Sequence, residues 1–181
     1  MHHEIVEILI TEEAIRERIA EMGKEISAVY RETPPLLAGV LKGCSMFLAD
    51  LARRIDVPIE MDFMAIAGYG GTHHSGAVRI VKDLDNVIEG RDVLLVQGLI
   101  DTGMTAGYLL RNLEARQPRT LRVCTLLDKQ VRRIVNVPIA FRGFKIPDRF
   151  VVGYGLDFRQ RYRNLPYIGV LSDEAAGLAR G

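Results

Sequence analysis

The sequence predicts a single α/β domain built on a mostly parallel, twisted sheet that is flanked by helices. Two observations lead to this fold class. Apolar stripes of helical period alternate along the chain with short apolar runs typical of buried strands, and this alternation is the pattern of βα units around a parallel sheet. The 181 residues are also 48% hydrophobic, which suits one domain with a core of its own.

Three helices are predicted from their periodicity and their boundaries. Apolar residues recur at helical spacing over residues 11–30, with Thr11 as the expected N-cap and Pro34-Pro35 ending the helix. Similar stripes predict helices at residues 45–55 and 104–115.

The strands are predicted from apolar runs between these helices. They cover residues 36–40, 58–66, 77–81, 92–96, 121–127, 150–152 and 167–171. The run at 92–96 is almost continuously apolar rather than alternating, so it is expected at the centre of the sheet. No internal repeat or linker divides the chain, and residues 1–181 are therefore predicted to form one domain.

The charge and the cysteine content limit the classes of partner that the protein could bind and the cellular compartment in which we expect it. With 24 basic and 23 acidic residues the formal net charge is +1, which lacks the basic excess of a general nucleic-acid-binding protein. Cys44 and Cys124 lie in apolar stretches and are expected to be buried thiols of a reducing compartment. Because there is no signal-peptide pattern and no apolar run of the ~20 residues that a membrane span needs, we expect a cytoplasmic soluble protein with no membrane or nucleic-acid partner.

Three ligand-binding motifs are incomplete. Gly71 and Gly76 have the spacing of a P-loop, but Ala77 stands where that loop needs Lys. No G-x-G-x-x-G sequence follows a strand, which removes the dinucleotide fingerprint. His73 and His74 are adjacent and would not share a helical face as a metal pair would, so loop polarity is favoured over a ligand role.

The segment most informative about function runs from the strand at 92–96 into the helix at 104–115. This junction lies at the carboxyl end of a central strand, where open α/β sheets bind ligands. A helix start offers free backbone N–H groups, Gly103 allows close approach, and Thr102 and Thr105 add hydroxyl donors, all of which suit a phosphate monoester. Asp101 would stand beside that phosphate, able to take or share a proton. The alternative is that Asp101 and Thr102 only cap the helix.

Several segments together resemble a known family. Residues 93–105 resemble the phosphoribosyl-pyrophosphate motif of the type I phosphoribosyltransferases, and the rest of the chain resembles the hypoxanthine-guanine phosphoribosyltransferases over nearly its whole length. The segments that carry the likeness are residues 39–43, 75–84, 126–129 and 146–157, of which the last two are specific to the purine branch.

The resemblance implies a fold, a reaction and a set of partners. The fold would be that of the type I phosphoribosyltransferases, with a small hood subdomain formed by the terminal segments. The reaction would move ribose-5-phosphate from phosphoribosyl pyrophosphate to N9 of a 6-oxopurine base, giving the purine mononucleotides IMP or GMP and pyrophosphate, with Mg²⁺ on the pyrophosphate and ribose oxygens. Because relatives are commonly dimers or tetramers, a homodimer or homotetramer is expected.

The family's roles around the sugar phosphate fall on three segments. Leu41, Lys42 and Gly43 would form the pyrophosphate loop, with a cis peptide bond before Lys42. Gly68-Tyr69 would mark the lid that closes over the reacting centre. Asp101 would be the general base toward the purine, and Asp101, Thr102, Gly103, Met104 and Thr105 would hold the 5′-phosphate.

The roles around the base and the metal fall in the last third of the chain. Lys129 would meet the 6-oxo group, Phe150 would stack on the base and Val151 would contact the base through its backbone. Asp157 would bind Mg²⁺ directly or through water, and Arg163 would contact pyrophosphate. By residue type alone, Lys129 would be a loop lysine and Phe150 a core residue. Four further arginines are expected to be solvated or to lie in an interface: Arg132, Arg133, Arg159 and Arg161.

The chain departs from the family at two adjacent positions. Gln97 and Gly98 stand where the family ordinarily has Glu and Asp, whose carboxylates hold the ribose 2′- and 3′-hydroxyls and help the metal. A hydrogen bond to a charged group is worth roughly 1.5–3 kcal/mol, so we expect weaker ribose or metal binding, and tighter binding when both acids are restored.

Two functions remain compatible with this departure. The first is a purine salvage enzyme with atypical ribose contacts. The second is a weakly active or inactive protein on the same fold that senses purine nucleotides or phosphoribosyl pyrophosphate. The enzyme is favoured because the other site residues persist, and transfer to a different base is disfavoured because Lys129 suits a 6-oxo group.

Overall fold

The computed structural model of the chain describes residues 4–67 and 79–177. Tyr69, Gly68, Gly71, Gly76, Ala77 and the adjacent histidines His73 and His74 lie outside the described residues. The helices and strands follow one another as β1 (Ile5–Ile10), α1 (Glu12–Val29), β2 (Leu36–Leu41), α2 (Ser45–Ala52), β3 (Glu60–Ala67), β4 (Arg79–Lys82), β5 (Asp92–Ile100), α3 (Met104–Glu114), β6 (Thr120–Asp128), β7 (Ile139–Lys145), β8 (Val151–Val152), β9 (Ile168–Leu171) and α4 (Asp173–Ala176). A single 3-10 turn, Gln130–Arg132, follows β6.

The main sheet has six strands in the order β4-β3-β2-β5-β6-β7. Four of its five strand pairs are parallel, and only β4 runs antiparallel, against β3. Since β2 and β5 lie in the middle, their carboxyl ends are neighbours at one edge. The predicted α/β class and the central place of β5 are confirmed.

The two faces of the sheet are covered by different helices. Leu94 and Val96 of β5 pack in the cluster that contains the apolar residues of α1 and α2. Val93 and Leu95 pack in the cluster of α3. Because side chains alternate between the faces of a strand, Gln97 belongs to the α3 face and Gly98 to the face of α1 and α2.

A second, antiparallel sheet of three strands, in the order β1-β9-β8, joins the two ends of the described chain. One side of it extends the main core through buried residues of all three strands: Ile10, Val151, Ile168 and Val170. The other side packs in a separate small cluster that includes Val152, Tyr162 and Leu165.

The sequence-based elements differ from the structure mainly at the edges. Strands β1 and β7 were not predicted; half of the residues of β1 are exposed, and β7 is an edge strand interrupted by Arg142 and Gly143. Strand β5 continues to Ile100 instead of ending at residue 96, so that Gln97 and Gly98 lie within a strand. Helix α2 ends at Ala52 rather than at residue 55.

Local predictions at the helix start and the cysteines are confirmed. The Oγ1 atom of Thr11 accepts a hydrogen bond from the Ala14 N–H, 3.3 Å away, as an N-cap does. Cys44 and Cys124 are free and fully buried. Within the described residues, no helix combines the length and the apolar character that crossing a membrane requires.

Candidate active site

A cleft of about 260 Å³ opens at the carboxyl ends of β2 and β5. One wall is the turn from β5 into α3, and the opposite wall is the loop from β2 into α2. The described residues that line it are Val40, Gly43, Cys44, Ile66, Gln97, Gly98, Leu99, Ile100, Asp101, Thr102, Gly103, Thr105, Ala106 and Leu156. The position is the one at which open α/β sheets bind ligands.

The turn into α3 presents the N-terminus of a helix, whose first N–H groups have no partner within the helix. Its N-cap, Gly103, has a φ of 81°, and a Cβ there would lie 2.3 Å from the Val135 carbonyl oxygen, so glycine is required. The Thr102 carbonyl oxygen accepts hydrogen bonds from the N–H groups of Ile134 and Val135, at 2.8 and 3.0 Å. The first turn of α3 contains no acidic side chain. An anion such as phosphate therefore meets the positive end of the helix without repulsion from that turn.

The Asp101 side chain does not cap α3. Its Oδ1 atom is buried and has no hydrogen-bond partner among the described residues, although the carboxylate as a whole is 34% exposed. The capping alternative holds only for Thr102, whose Oγ1 atom accepts a hydrogen bond from the Met104 N–H, 3.3 Å away. A carboxylate oxygen that is buried in a cleft without a partner is available to a ligand.

Lys129 is a buried lysine that faces Asp101. Its side chain is 7% exposed, and its Nζ atom lies 3.9 Å from Asp101 Oδ2 and 3.7 Å from Asp148 Oδ1. The two residues meet because β5 and β6 are adjacent, and the Lys129 N–H donates to the Ile100 carbonyl oxygen at 2.9 Å. The alternative of a loop lysine at the surface is excluded by this burial.

Arg133 supports both Asp101 and Lys129. This role of Arg133 was not predicted from the sequence. Its Nε atom donates to the Asp101 carbonyl oxygen at 3.0 Å, and its Nη2 atom bonds the carboxylate of Asp128. Asp128, the residue before Lys129, is fully buried and also accepts from Arg142 Nε at 2.7 Å. The expectation that Arg133 is solvated or at an interface is therefore wrong, since its side chain is only 16% exposed. The residue type gave no sign of this, because its partner lies on another element.

On the opposite wall, two cations converge on one amide. The peptide bond between Leu41 and Lys42 is cis. Lys42 Nζ lies 3.5 Å from Gln160 Oε1, and Arg163 Nη2 lies 3.2 Å from the same oxygen. Gln160 is a site residue that the sequence analysis did not single out, because glutamine at a turn carries no distinctive motif.

Asp157 is held by the same group of residues. Its Oδ1 atom lies 2.7 Å from Arg163 Nη2, and its Oδ2 atom accepts from the Gln160 N–H at 2.8 Å. Arg163 also donates from Nη1 to the Gly155 carbonyl oxygen at 2.8 Å. Lys42, Asp157, Gln160 and Arg163 thus form one network, while no group of three or more metal-ligating side chains occurs within the described residues.

Val151 lies in the small sheet, and Phe150 immediately precedes it. Phe150 contacts Phe158 edge to face, with ring centroids 5.4 Å apart and planes at 85°. Val151 is buried and pairs with Val170. Phe150 comes two residues after Asp148, the neighbour of Lys129, which brings this part of the small sheet toward the end of β6.

Gln97 and Gly98 lie between the two walls of the cleft. Gln97 is 5% exposed, and its Nε2 atom has no hydrogen-bond partner among the described residues. A Cβ on Gly98 would lie 2.7 Å from the Gly43 carbonyl oxygen and 3.4 Å from Leu156 Cδ2. The chain therefore has, at one position, an amide nitrogen without a partner among the described residues, and closely packed backbone at the other.

A parallel sheet whose cleft has a helix N-terminus on one side, with two cations, Lys42 and Arg163, close to the loop on the other side, is an arrangement suited to an anionic ligand such as a sugar phosphate. The sequence matches the model of the phosphoribosyl transferase domain over residues 6–159. The chain belongs to this family.

Relatives within the family carry narrower names. The hypoxanthine-guanine phosphoribosyltransferase of Bacillus subtilis (strain 168) is 49% identical over 172 residues, which are 94% of this chain and 96% of that protein. The hypoxanthine-guanine phosphoribosyltransferase of Mycobacterium tuberculosis (strain ATCC 25618 / H37Rv) is 53% identical over 175 residues, 93% of this chain and 87% of that protein. The crystal structure of a hypoxanthine phosphoribosyltransferase from Staphylococcus aureus is 44% identical and superposes with a TM-score of 0.91, covering 96% of this chain and 95% of that one.

Proposed function

We propose that this chain transfers the 5-phosphoribosyl group of phosphoribosyl pyrophosphate to N9 of hypoxanthine or guanine, giving IMP or GMP and pyrophosphate. The observation that carries the proposal is the facing pair of Asp101 and Lys129 beside the phosphate-receiving turn, with Nζ and Oδ2 3.9 Å apart. The names of the relatives support the same choice of base.

The pair matches one edge of a 6-oxopurine. O6 and N7 lie on the same edge of the ring. The Lys129 ammonium would donate to O6. The Asp101 carboxylate, whose Oδ1 atom has no hydrogen-bond partner among the described residues, would accept the proton on N7 of the tautomer whose N9 carries a free electron pair. As N9 bonds to C1′ and the bond from C1′ to pyrophosphate breaks, that proton passes to Asp101, which acts as the general base. Phe150 would stack on the ring and Val151 would contact it through its backbone.

The sugar phosphate would span the cleft between its two walls. Its 5′-phosphate would lie at the start of α3, on the backbone N–H groups and hydroxyls of Asp101, Thr102, Gly103, Met104 and Thr105. Its pyrophosphate would lie at Leu41, Lys42 and Gly43, with Arg163 beside them. Cations fixed before the reaction stabilise the charge that develops on a leaving group, and Lys42 and Arg163 are already held together through Gln160. Tyr69 would cover the reacting centre as part of the lid.

The residues present fit a Mg²⁺ ion that is shared with the substrate. Mg²⁺ is commonly bound by one or two carboxylates together with waters and substrate phosphates rather than by an all-protein cage. The carboxylate of Asp157, 26% exposed and beside Arg163, would hold the ion directly or through water. When bound, the ion would neutralise charge on the departing pyrophosphate.

Three broader features complete the proposal. The small sheet of β1, β8 and β9 would be the hood formed by the terminal segments of a single domain. The compartment would be the cytoplasm, in keeping with two free buried thiols. The protein would act as a homodimer or homotetramer, which sedimentation at several protein concentrations would test.

The test is a direct assay with three bases. Purified protein is mixed with phosphoribosyl pyrophosphate, Mg²⁺ and either hypoxanthine, guanine or adenine, and the nucleotides formed are separated and quantified. We expect IMP and GMP but no AMP, because the 6-amino group of adenine cannot accept from Lys129. Binding of IMP without any turnover would overturn the transferase proposal in favour of a nucleotide-sensing protein.

A further inference from the structure

The Gln97 amide is a buried donor that meets no acceptor within residues 4–67 and 79–177. The residue is 5% exposed, lines the cleft, and leaves its Nε2 atom without a hydrogen-bond partner in the part of the chain that the structure describes. A buried donor that is left unpaired costs about 1–3 kcal/mol. Such a group in a cleft is satisfied when a ligand supplies an oxygen to it.

The neighbouring wall offers no such polar group. Gly98 has no side chain, and the space beside it is taken by the Gly43 carbonyl group and by Leu156 Cδ2. The Cys44 thiol, also in the lining, is neutral because burial raises its pKa to about 11. Among the described residues that line the cleft, Asp101 is the only one with a charged side chain. The wall at Gly98 therefore presents no charged side chain, and its polar group is the backbone carbonyl of Gly43.

The two positions lie on opposite faces of the sheet. Gln97 is on the α3 face and Gly98 is on the face of α1 and α2, next to the loop of Lys42 and Gly43. If the 5′-phosphate binds at the start of α3 and the pyrophosphate binds at that loop, as in the proposed function, the sugar carbon nearest the Gly98 wall is C2′, beside C1′. The carbon nearest Gln97 is then C3′, on the side of the phosphate.

We propose that the side chains of the cleft recognise the sugar through one hydroxyl only: Gln97 Nε2 donates to the 3′-hydroxyl, and the 2′-position faces the wall of Gly98 and Leu156, which offers no polar side chain. The substrate class then includes 2′-deoxyribose phosphates. A site rejects an analogue that lacks a hydroxyl only when its own buried polar groups are left unpaired. Removing the 3′-hydroxyl leaves Gln97 unpaired, whereas removing the 2′-hydroxyl leaves no side chain unpaired. The inference rests on the proposed function for the placement of the sugar.

The experiment compares three nucleotides by isothermal titration calorimetry with a chelator present, so that only protein contacts act on the sugar. The probes are IMP, 2′-deoxy-IMP and 3′-deoxy-IMP. We expect 2′-deoxy-IMP to bind within about threefold of IMP, because no buried group loses a partner. We expect 3′-deoxy-IMP to bind about tenfold more weakly, because one buried donor is left unpaired.

Two variants assign the discrimination to Gln97. Gln97→Met keeps the length of the side chain but removes the donor, and it should bind IMP and 3′-deoxy-IMP equally. Gln130→Met makes the same change at an exposed position outside the cleft and should keep the preference of the unmodified protein.

The outcomes separate the two proposals. If IMP binds but 2′-deoxy-IMP is rejected more than about tenfold, or if Gln97→Met still discriminates against 3′-deoxy-IMP, the single-hydroxyl inference is wrong and the proposed function stands. If IMP itself does not bind, both are wrong. The comparison of the three nucleotides on the unmodified protein decides the inference even if Gln97→Met does not fold.

Discussion

The carbonyl oxygen of Gly43 lies 2.7 Å from the point that a Cβ on Gly98 would occupy, and 2.6 Å from the corresponding point on Gly155. The loop that follows β2 is thus packed between two glycines, backbone against backbone. Contacts of this length are too short for a real Cβ, so any side chain at residue 98 displaces the loop that would hold pyrophosphate. The absence of a carboxylate at Gly98 is therefore a change in packing as well as in charge.

Gly98→Asp is expected to lower the stability of the protein rather than to restore the ribose contact that an acid makes at this position in the family. The added Cβ would press on the Gly43 carbonyl group, and forcing atoms into a packed site costs about 1–3 kcal/mol. This geometry changes the expectation, drawn from sequence alone, that restoring both acids tightens the sugar donor. The measurement is the KM for phosphoribosyl pyrophosphate together with the free energy of unfolding in urea.

The matched control is Gly98→Ala, which adds the Cβ without a charge and should lower the free energy of unfolding by a similar amount, because the Cβ itself meets the Gly43 carbonyl oxygen. If Gly98→Asp proved as stable as the unmodified protein and bound phosphoribosyl pyrophosphate more tightly, the loop would have room to move, and the packing argument would fail.

The sequence and the structure lead to opposite expectations for an acid at residue 98, and the difference shows which features residue type alone can predict. Helices α1 and α3 were predictable because their apolar residues repeat with the helical period. Gln97 and Gly98 were not predicted to lie in a strand, because neither residue is apolar. The space left beside Gly98 was beyond sequence reasoning altogether, since it is filled by a loop some 55 residues earlier in the chain.

The candidate site was predictable in its motifs but not in its contacts. Asp101 and Lys129 could each be singled out, yet their pairing depends on β6 lying next to β5, which the order of elements along the chain does not determine. The same reason explains why Arg133 and Gln160 were missed. Each of them acts on a residue of another element, and neither belongs to a recognisable motif.

Asp101→Asn is expected to lower kcat by about 100-fold or more, because the amide keeps the shape of the side chain but cannot accept the purine proton. Binding of IMP should change much less, because the backbone N–H groups at the start of α3 remain in place. Rapid product assays give kcat, and calorimetry gives the dissociation constant of IMP. An unchanged kcat would remove Asp101 from the role of general base.

Lys129→Met is expected to lower kcat/KM for hypoxanthine by about tenfold to 100-fold, since a hydrogen bond from a charged donor to O6 is lost. The KM for phosphoribosyl pyrophosphate should stay nearly constant, because Lys129 lies beside Asp101 and Asp148 rather than at the pyrophosphate loop. Lys145→Met, at an exposed position on β7, is the matched control. Equal decreases in kcat/KM for hypoxanthine and for phosphoribosyl pyrophosphate would indicate that Lys129 has a structural role and does not contact the base.

Arg133→Met is expected to destabilise the fold by about 3 kcal/mol, because it removes one of two cations from the fully buried carboxylate of Asp128. Adding Asp128→Asn should recover part of this loss, since the second change removes a buried carboxylate that Arg133→Met leaves with Arg142 as its remaining cation. Arg132→Met, at the neighbouring and 58% exposed arginine, should cost little. Urea unfolding of the unmodified protein, the two single variants, the double variant and Arg132→Met tests the prediction, and additive losses in the double variant would contradict it.

Asp92 at the start of β5 gives the protein a stabilising contribution that acid removes. The carboxylate is 5% exposed and accepts hydrogen bonds from Arg119 Nε at 3.0 Å, from Thr33 Oγ1 at 2.6 Å and from Thr120 Oγ1 at 2.7 Å. Mainly through its hydrogen bonds to the guanidinium, Arg119 holds the pKa of Asp92 below its ordinary value. As the pH falls, the unfolded chain therefore takes up a proton before the folded protein does. The stabilisation from Asp92 is complete above about pH 4 and is lost as the pH falls toward the folded pKa.

Asp92→Asn should lower the free energy of unfolding by about 2 kcal/mol at pH 7. The difference in this free energy between the variant and the unmodified protein should narrow below about pH 4. Asp56→Asn, at an exposed carboxylate, is the control and should show no such difference. The free energies of unfolding of Asp92→Asn and the unmodified protein are measured from neutral pH to the acid limit of folding. A constant difference over this range would show that the network acts through packing and not through the charge of Asp92.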